Sequence, residues 1–210
     1  MIERAKLRNL GERFAWIVGV ALVAIWVLAS LFRAVDSRQQ IDRFMAVRAA
    51  DSGSRSTPDQ SLWSPERMRA WRDTFSRPAP QALAVLGIPR IGLEVPILEG
   101  TDDWTLNRAI GHIEDTAAPG ADGNSGIAGH RDGFFRGLKD VREGDEIALE
   151  TRRGREAYQI ERIWIVDPTD VSVLDPTPSR AITLVTCYPF YFIGSAPQRF
   201  IVRAVVKGHM

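Results

Sequence analysis

Among the side chains able to attack a carbonyl, Cys187 stands apart: it is the only cysteine in 210 residues, it ends the run TLVTC (183–187), and Tyr188-Pro189 follows it at once. A thiol attacks as its thiolate, and a neighbouring histidine or arginine with partial solvent access favours that form. The chain has three histidines. His209 lies in the terminal GHM, a frayed position. His112, in AIGHIED, follows a helical segment and is a candidate to line a cleft; a structural histidine held by hydrogen bonds is the alternative. His130, in NSGIAGHRDGFF, closes a short apolar run bounded by Gly126 and Gly129 and precedes a polar turn, the same strand-end setting as Cys187. Arg199, in PQRFIVRA, opens the next strand-like run after the cysteine. Together the three residue types suit a reactive thiol: a sulfur nucleophile with a histidine and a cation able to favour its thiolate. A small buried cysteine without reactivity is the competing reading.

The elements that must position these groups are short and β-like. From residue 82 onward the runs ALAVLGIP, GLEVPILEG, SGIAGH, DEIALET, REAYQIERIWIV, AITLVTC and RFIVRAVVK are separated by Gly, Pro and Asp, giving at least seven strands and an all-β fold, a sandwich or a closed barrel. One helical insertion, DDWTLNRAI at 102–110, interrupts them. The last two runs are consecutive and pair antiparallel. If Cys187 is opposite Arg199, both side chains leave the same face of the sheet, whereas a slip of one residue turns them apart.

Ahead of the strands the chain changes character twice. Residues 14–32, FAWIVGVALVAIWVLASLF, contain no charge and are long enough for a helix to cross about 30 Å of hydrocarbon, with Phe14, Trp16 and Phe32 near the ends. The apolar run exceeds a cleavable signal's and is read as an uncleaved anchor. Basic residues balance on its two sides, so orientation rests on the signal-anchor arrangement: a short inner tail (1–13) and an outer C-terminal part. Residues 33–63 form a stalk and a Ser/Pro/Gly-rich linker. Segment 64–77 is a short amphipathic helix, with Ser64 as N-cap, Pro65 at the first helical position and Met68, Trp71 and Phe75 on one face; a Pro-rich connection to residue 80 follows. The net charge of +1, from 27 basic and 26 acidic residues, gives no reason to propose nucleic acid as a partner.

Three of these segments resemble one family. TLVTC is similar to the TLxTC signature of sortases, membrane-anchored cysteine transpeptidases of bacterial surfaces; GIAGHR resembles their histidine segment, and PQRFIVRA the closing strand that carries their arginine. The order His, Cys, Arg over residues 82–206 is also the family's, and Tyr188-Pro189 with FIGSAPQRF looks most like class D, in particular members from Gram-negative bacteria. The resemblance implies a closed eight-stranded β-barrel over residues 81–207 with one or two short helices, preceded by the transmembrane helix. It also implies catalysis by Cys187, His130 and Arg199, with His112, Thr186 and Tyr188 as further candidates to contact substrate. The implied substrate is a protein with an LPxTG-like sorting signal, passed through a thioacyl enzyme to a cell-surface amine, with the domain outside the cell membrane. No cofactor is implied, and no acidic cluster matches the calcium site of some members.

Two alternatives stay open: a cysteine peptidase whose thioacyl intermediate goes only to water, and a membrane-tethered binding barrel with an inert thiol. An L,D-transpeptidase is disfavoured, since Val185 and Thr186, not a histidine, precede Cys187.

Overall fold

The computed structural model describes residues 57, 58, 60, 61, 63–78, 80–191 and 196–207. The tail, the 14–32 anchor and most of the stalk expected from the sequence lie outside the described residues. Among the described residues no helix is long and apolar enough to cross a membrane.

Strand formation follows the alternation of side chains. In β1 (Ala84–Ile88) Ala84, Leu86 and Ile88 are buried, with Val85 and Gly87 between them on the other side. The same period-two pattern opens β2 (Leu93–Glu99). β3 (Ile110–His112), β4 (Asn124–Ala128), β5 (Glu146–Thr151), β6 (Gly154–Val166), β7 (Ala181–Tyr188) and β8 (Gln198–Val206) complete a closed barrel in the order β1-β2-β3-β4-β7-β8-β6-β5. Closure comes from β1 pairing with β5 as well as β2, which leaves no free sheet edge in the ring. Eight strands leave an interior that side chains fill. Leu86, Ile97, Ile127, Leu149, Tyr158, Ile182, Leu184, Val202 and Ala204 line it with little or no solvent contact.

Two contacts in the ring are parallel, β2 with β3 and β4 with β7. Parallel neighbours need a crossover. The first is made by α2 (Asp103–Arg108), whose N-cap Asp102 accepts a hydrogen bond from the Thr105 amide; the second carries β5 and β6. β3 was not among the strands expected from the sequence. It has three residues, one of them Gly111, and no period can show itself in so short a run.

β6 carries the one irregularity that matters for the site. Ile160 pairs with Ala204, but Arg162 pairs with Arg203, so Glu161 is an extra residue in the ladder. A bulge of this kind resets the alternation. Tyr158 and Ile160 point into the core before it; beyond it Ile163 packs on the core, while Trp164 and Val166, opposite Ile201 and Arg199, lie on the outer face.

In α1 (Pro65–Asp73) the Ser64 Oγ accepts from the Arg67 amide at 3.1 Å and Pro65 occupies the first turn. The expected apolar face of this helix packs only in part. Phe75, just beyond it, is 55% exposed and no residue of α1 is buried, while Trp63 before it and Thr74 after it are. The segment is anchored at its two ends: Arg108 of α2 donates to the Thr74 carbonyl at 2.7 Å, and Trp63 and Arg67 reach the turn after β4.

Candidate active site

The site is built on one face of three adjacent strands. In β7 the residues Ile182, Leu184 and Thr186 are buried inward, so Thr183, Val185 and Cys187 point outward. β8 pairs with β7 in the register Thr183↔Arg203, Val185↔Ile201, Cys187↔Arg199. Directly opposed residues share a face, so the thiol and the guanidinium leave the sheet together. On the other side β4 runs parallel to β7, with Gly126↔Thr183 and Ala128↔Val185. The ladder continues beyond Ala128: the Gly129 amide donates to the Val185 carbonyl at 3.1 Å, and the Thr186 hydroxyl donates to the Gly129 carbonyl at 2.7 Å. His130 is the next residue, two beyond the end of β4 and one beyond this last bond to β7. The outer face therefore carries a row of Cys187 and Arg199, with His130 on the turn that leaves the neighbouring β4. Below it lies a row of Ala128, Val185 and Ile201, and below that Gly126, Thr183 and Arg203.

Cys187 is a free thiol, half-buried. Arg199 Nη1 donates to the carbonyls of Gln198 (3.1 Å) and Ala196 (3.4 Å), which turns the cation toward the β7–β8 connection. That connection begins with a cis Tyr188–Pro189 peptide bond. His130 follows Gly129, where an added Cβ would come within 2.5 Å of the Phe135 ring; the buried phenylalanine fills the space a side chain would need.

Burial pushes the His130 imidazole down to about 4, helped by the positive charge of Arg67 and opposed by Asp132 and Asp103. The ring is thus neutral at neutral pH, and its Nε2 is buried without a hydrogen-bond partner. The turn that carries it is held by side chains from elsewhere. Trp63 Nε1 donates to the Asp132 carbonyl at 2.5 Å, Arg67 Nη2 lies 3.4 Å from Asp132 Oδ1, and Arg67 Nη1 donates to Asn107 Oδ1 of α2. Arg67 also stacks over Trp63 at 4.9 Å, and Arg131 donates to the Pro189 carbonyl at 3.1 Å. The sequence reading gave neither Trp63 nor Arg67 a place near the histidine. The signal available was a Trp and an Arg four residues apart at a helix start, too common to single out.

The remaining candidates lie on the other face. Thr186 is buried, with its hydroxyl donated to Gly129, and Tyr188 packs on Phe190 and Phe200 at ring distances of 6.0 and 6.2 Å. His112 is buried on β3 with both ring nitrogens engaged, Nδ1 at 2.9 Å from Glu99 Oε1 and Nε2 donating to the Ala117 carbonyl at 3.1 Å. The structure sets Cys187 opposite Arg199 and His130 on the turn after β4, while Thr186 and Tyr188 face inward and His112 lies toward the other end of β4, held by Glu99, Thr116 and Ala117.

Residues 86–207 match the model of the sortase domain. The chain belongs to the sortase family. Sortase D of Bacillus subtilis (strain 168) is 37% identical over 130 residues, which are 61% of this chain and 66% of that protein; the match thus spans a little under two thirds of the relative's length. Among solved structures, a Clostridium perfringens Sortase D5 transpeptidase superposes with a TM-score of 0.56 at 31% identity, covering 71% of this chain and 92% of that one. Sortase E1 of Streptomyces coelicolor, solved with a tripeptide in the active site, gives 0.55 at 35% identity over 61% of this chain and 89% of that one.

Proposed function

We propose that this sortase is a membrane-anchored cysteine transpeptidase that cuts an LPxTG-like sorting signal and joins the released acyl group to a cell-surface amine. The observation that carries this reading is Cys187 facing outward opposite Arg199 on β7 and β8, with His130 on the turn leaving the adjacent β4. The neutral His130 accepts the thiol proton, and the thiolate attacks the Thr carbonyl of the signal. Arg199 donates to the oxyanion or to the substrate backbone, depending on how the peptide lies. The imidazolium then protonates the leaving amine, and the resulting neutral ring deprotonates the incoming one. Ala128 and Val185, half-buried beneath Cys187, leave apolar surface that suits an extended peptide with small apolar side chains, while Ile201 beside them is fully buried. Similarity to Sortase D of Bacillus subtilis supports class D; the likeness to Gram-negative members rests on residues 187–200 of the sequence.

The 14–32 segment supports a single-pass anchor in the cell membrane, with the barrel outside the cytoplasm. Membrane fractionation before and after deletion of 14–32 tests it, and a deletion that leaves the protein in the membrane pellet overturns it.

The enzymatic reading is tested with the full chain, a set of Leu-Pro-x-Thr-Gly peptides, and triglycine as acceptor. The expected results are a thioacyl adduct on Cys187 by mass spectrometry and an amide product with triglycine. Acid product alone, with triglycine in excess, identifies a hydrolytic peptidase. No adduct with any peptide, together with a thiol that resists iodoacetamide in the folded state, supports a binding barrel instead.

A further inference from the structure

The ladder between β4 and β7 stops one residue short of the histidine. Its last bonds run from the Gly129 amide to the Val185 carbonyl and from the Thr186 hydroxyl to the Gly129 carbonyl. Beyond Gly129 the chain turns away, the Gly133 amide donating to the His130 carbonyl at 3.0 Å, whereas β7 runs on through Cys187 to Tyr188, which is still paired with Gln198 of β8. Backbone register therefore places Cys187 but not His130 relative to it. A side chain has to make that connection.

Arg131 does so. Its Nη1 donates to the Pro189 carbonyl at 3.1 Å, across 58 positions of the chain. Thr186, just before the cysteine, holds Gly129, just before the histidine; Arg131, just after the histidine, holds Pro189, two past the cysteine. His130 and Cys187 are thus bracketed on both sides by a side chain bonded to a carbonyl of the other segment. Both ends of the Arg131 clasp are firm. Proline has no N–H to donate, so Pro189 offers its carbonyl alone, and the next residue, Phe190, is buried with its ring 6.0 Å from Tyr188 and 5.1 Å from Phe200. On the turn itself Asp132, the neighbour of Arg131, is held by Trp63 and Arg67. A hydrogen bond donated by a guanidinium is also stronger than one between neutral groups.

We infer that Arg131 is a positioning residue for the pair His130 and Cys187: by clasping the turn after β4 to the Pro189 carbonyl, it sets the distance over which a proton passes between thiol and imidazole. The inference rests on the reading of Cys187 as nucleophile and His130 as its proton partner. Its bond is to backbone, so Arg131 acts through the placement of His130 and not on the substrate. A misplacement of about 1 Å can cost about a hundredfold in rate. One clasp is therefore enough to show in kcat.

The test uses the full chain and a probe that needs no peptide. 1,3-Dibromoacetone alkylates a thiol and then an imidazole within reach of its short bridge, losing one bromide at each step. Mass spectrometry of the digest gives the ratio of Cys187–His130 cross-link to single Cys187 adduct. Arg131→Met keeps the aliphatic stem and loses the donors, Arg131→Lys keeps a charged donor without the planar fork, and Arg131→Gln is read in the same way as Arg131→Met if the latter fails to fold. Arg131→Met should lower the cross-link ratio about tenfold and kcat by about tenfold or more for those Leu-Pro-x-Thr-Gly peptides that the wild type cleaves, with KM within about twofold. Arg131→Lys should recover most of both losses. A wild-type ratio in Arg131→Met overturns the inference, and so does a wild type that forms no cross-link. A loss carried by KM with kcat unchanged overturns it too, since Arg131 would then serve the substrate directly. If the wild type cross-links but cleaves no peptide, the transpeptidase reading fails, while the ratio still decides whether Arg131 holds His130 to Cys187.

Discussion

Cys187 and Arg199 on one side of the site, and His130 on the other, are held by different means. The first two are consecutive-strand partners inside a hydrogen-bonded ladder. Their relation is set by backbone register, which a side-chain change barely moves. His130 stands one residue past the last ladder bond of β4, on a turn secured by Trp63, Arg67 and Arg131. Cys187 and Arg199 are thus fixed by the barrel, whereas His130 is fixed by a segment outside it.

That contrast can be broken from either side. Cys187→Ala should abolish thioacyl formation altogether, with thermal unfolding unchanged within about 0.5 kcal/mol because the site is half-exposed; residual adduct by mass spectrometry would mean another nucleophile. Arg199→Lys keeps the charge but not the planar fork, and a loss of about 10²-fold in kcat/KM is expected if it serves the oxyanion. Wild-type rates in that variant would leave the cation without a role. On the His130 side, Gly129→Ala drives a methyl into the Phe135 ring and should cost about 1–3 kcal/mol in chemical denaturation, with His130 displaced from Cys187 and alkylation slowed.

The smallest effect is electrostatic. Arg67→Ala removes a positive charge that opposes protonation of His130, so the imidazole's midpoint, followed by NMR, should rise from about 4 toward its ordinary value of 6.5 without reaching it, since burial is the larger cause. A midpoint that does not move would detach α1 from the histidine. The sign for stability follows: His130 takes up its proton more readily unfolded than folded, so its contribution is fully present above pH 6.5 and is lost as pH falls toward about 4. In His130→Gln that part of the pH dependence should vanish.

Much of the first region was legible in the sequence. AITLVTC and RFIVRAVV are adjacent runs with clear alternation, and a hairpin between them constrains register, so the opposition of Cys187 and Arg199 follows from pattern alone once one register is chosen. The parallel pairing of β4 with β7 was not, because nothing local in SGIAGH states which strand it will meet. β3 was too short to show a period. The inward positions of Thr186 and Tyr188 follow from the same alternation that sends Cys187 outward, so nearness in sequence to the nucleophile misleads about nearness in space. The bulge at Glu161 left no trace either, since REAYQIERIWIV reads equally well as one uninterrupted strand.

The β4–β7 pairing also governs when the site can exist. His130 can meet Cys187 only after residues 181–185 have been made, and Arg199 arrives with the final strand. Long-range pairings of this kind form late, because loop-closure entropy is lost before any contact offsets it. A chain still emerging, or one cut short before β8, has the thiol but not its partners. Until β8 is paired, Cys187 has no Arg199 opposite it.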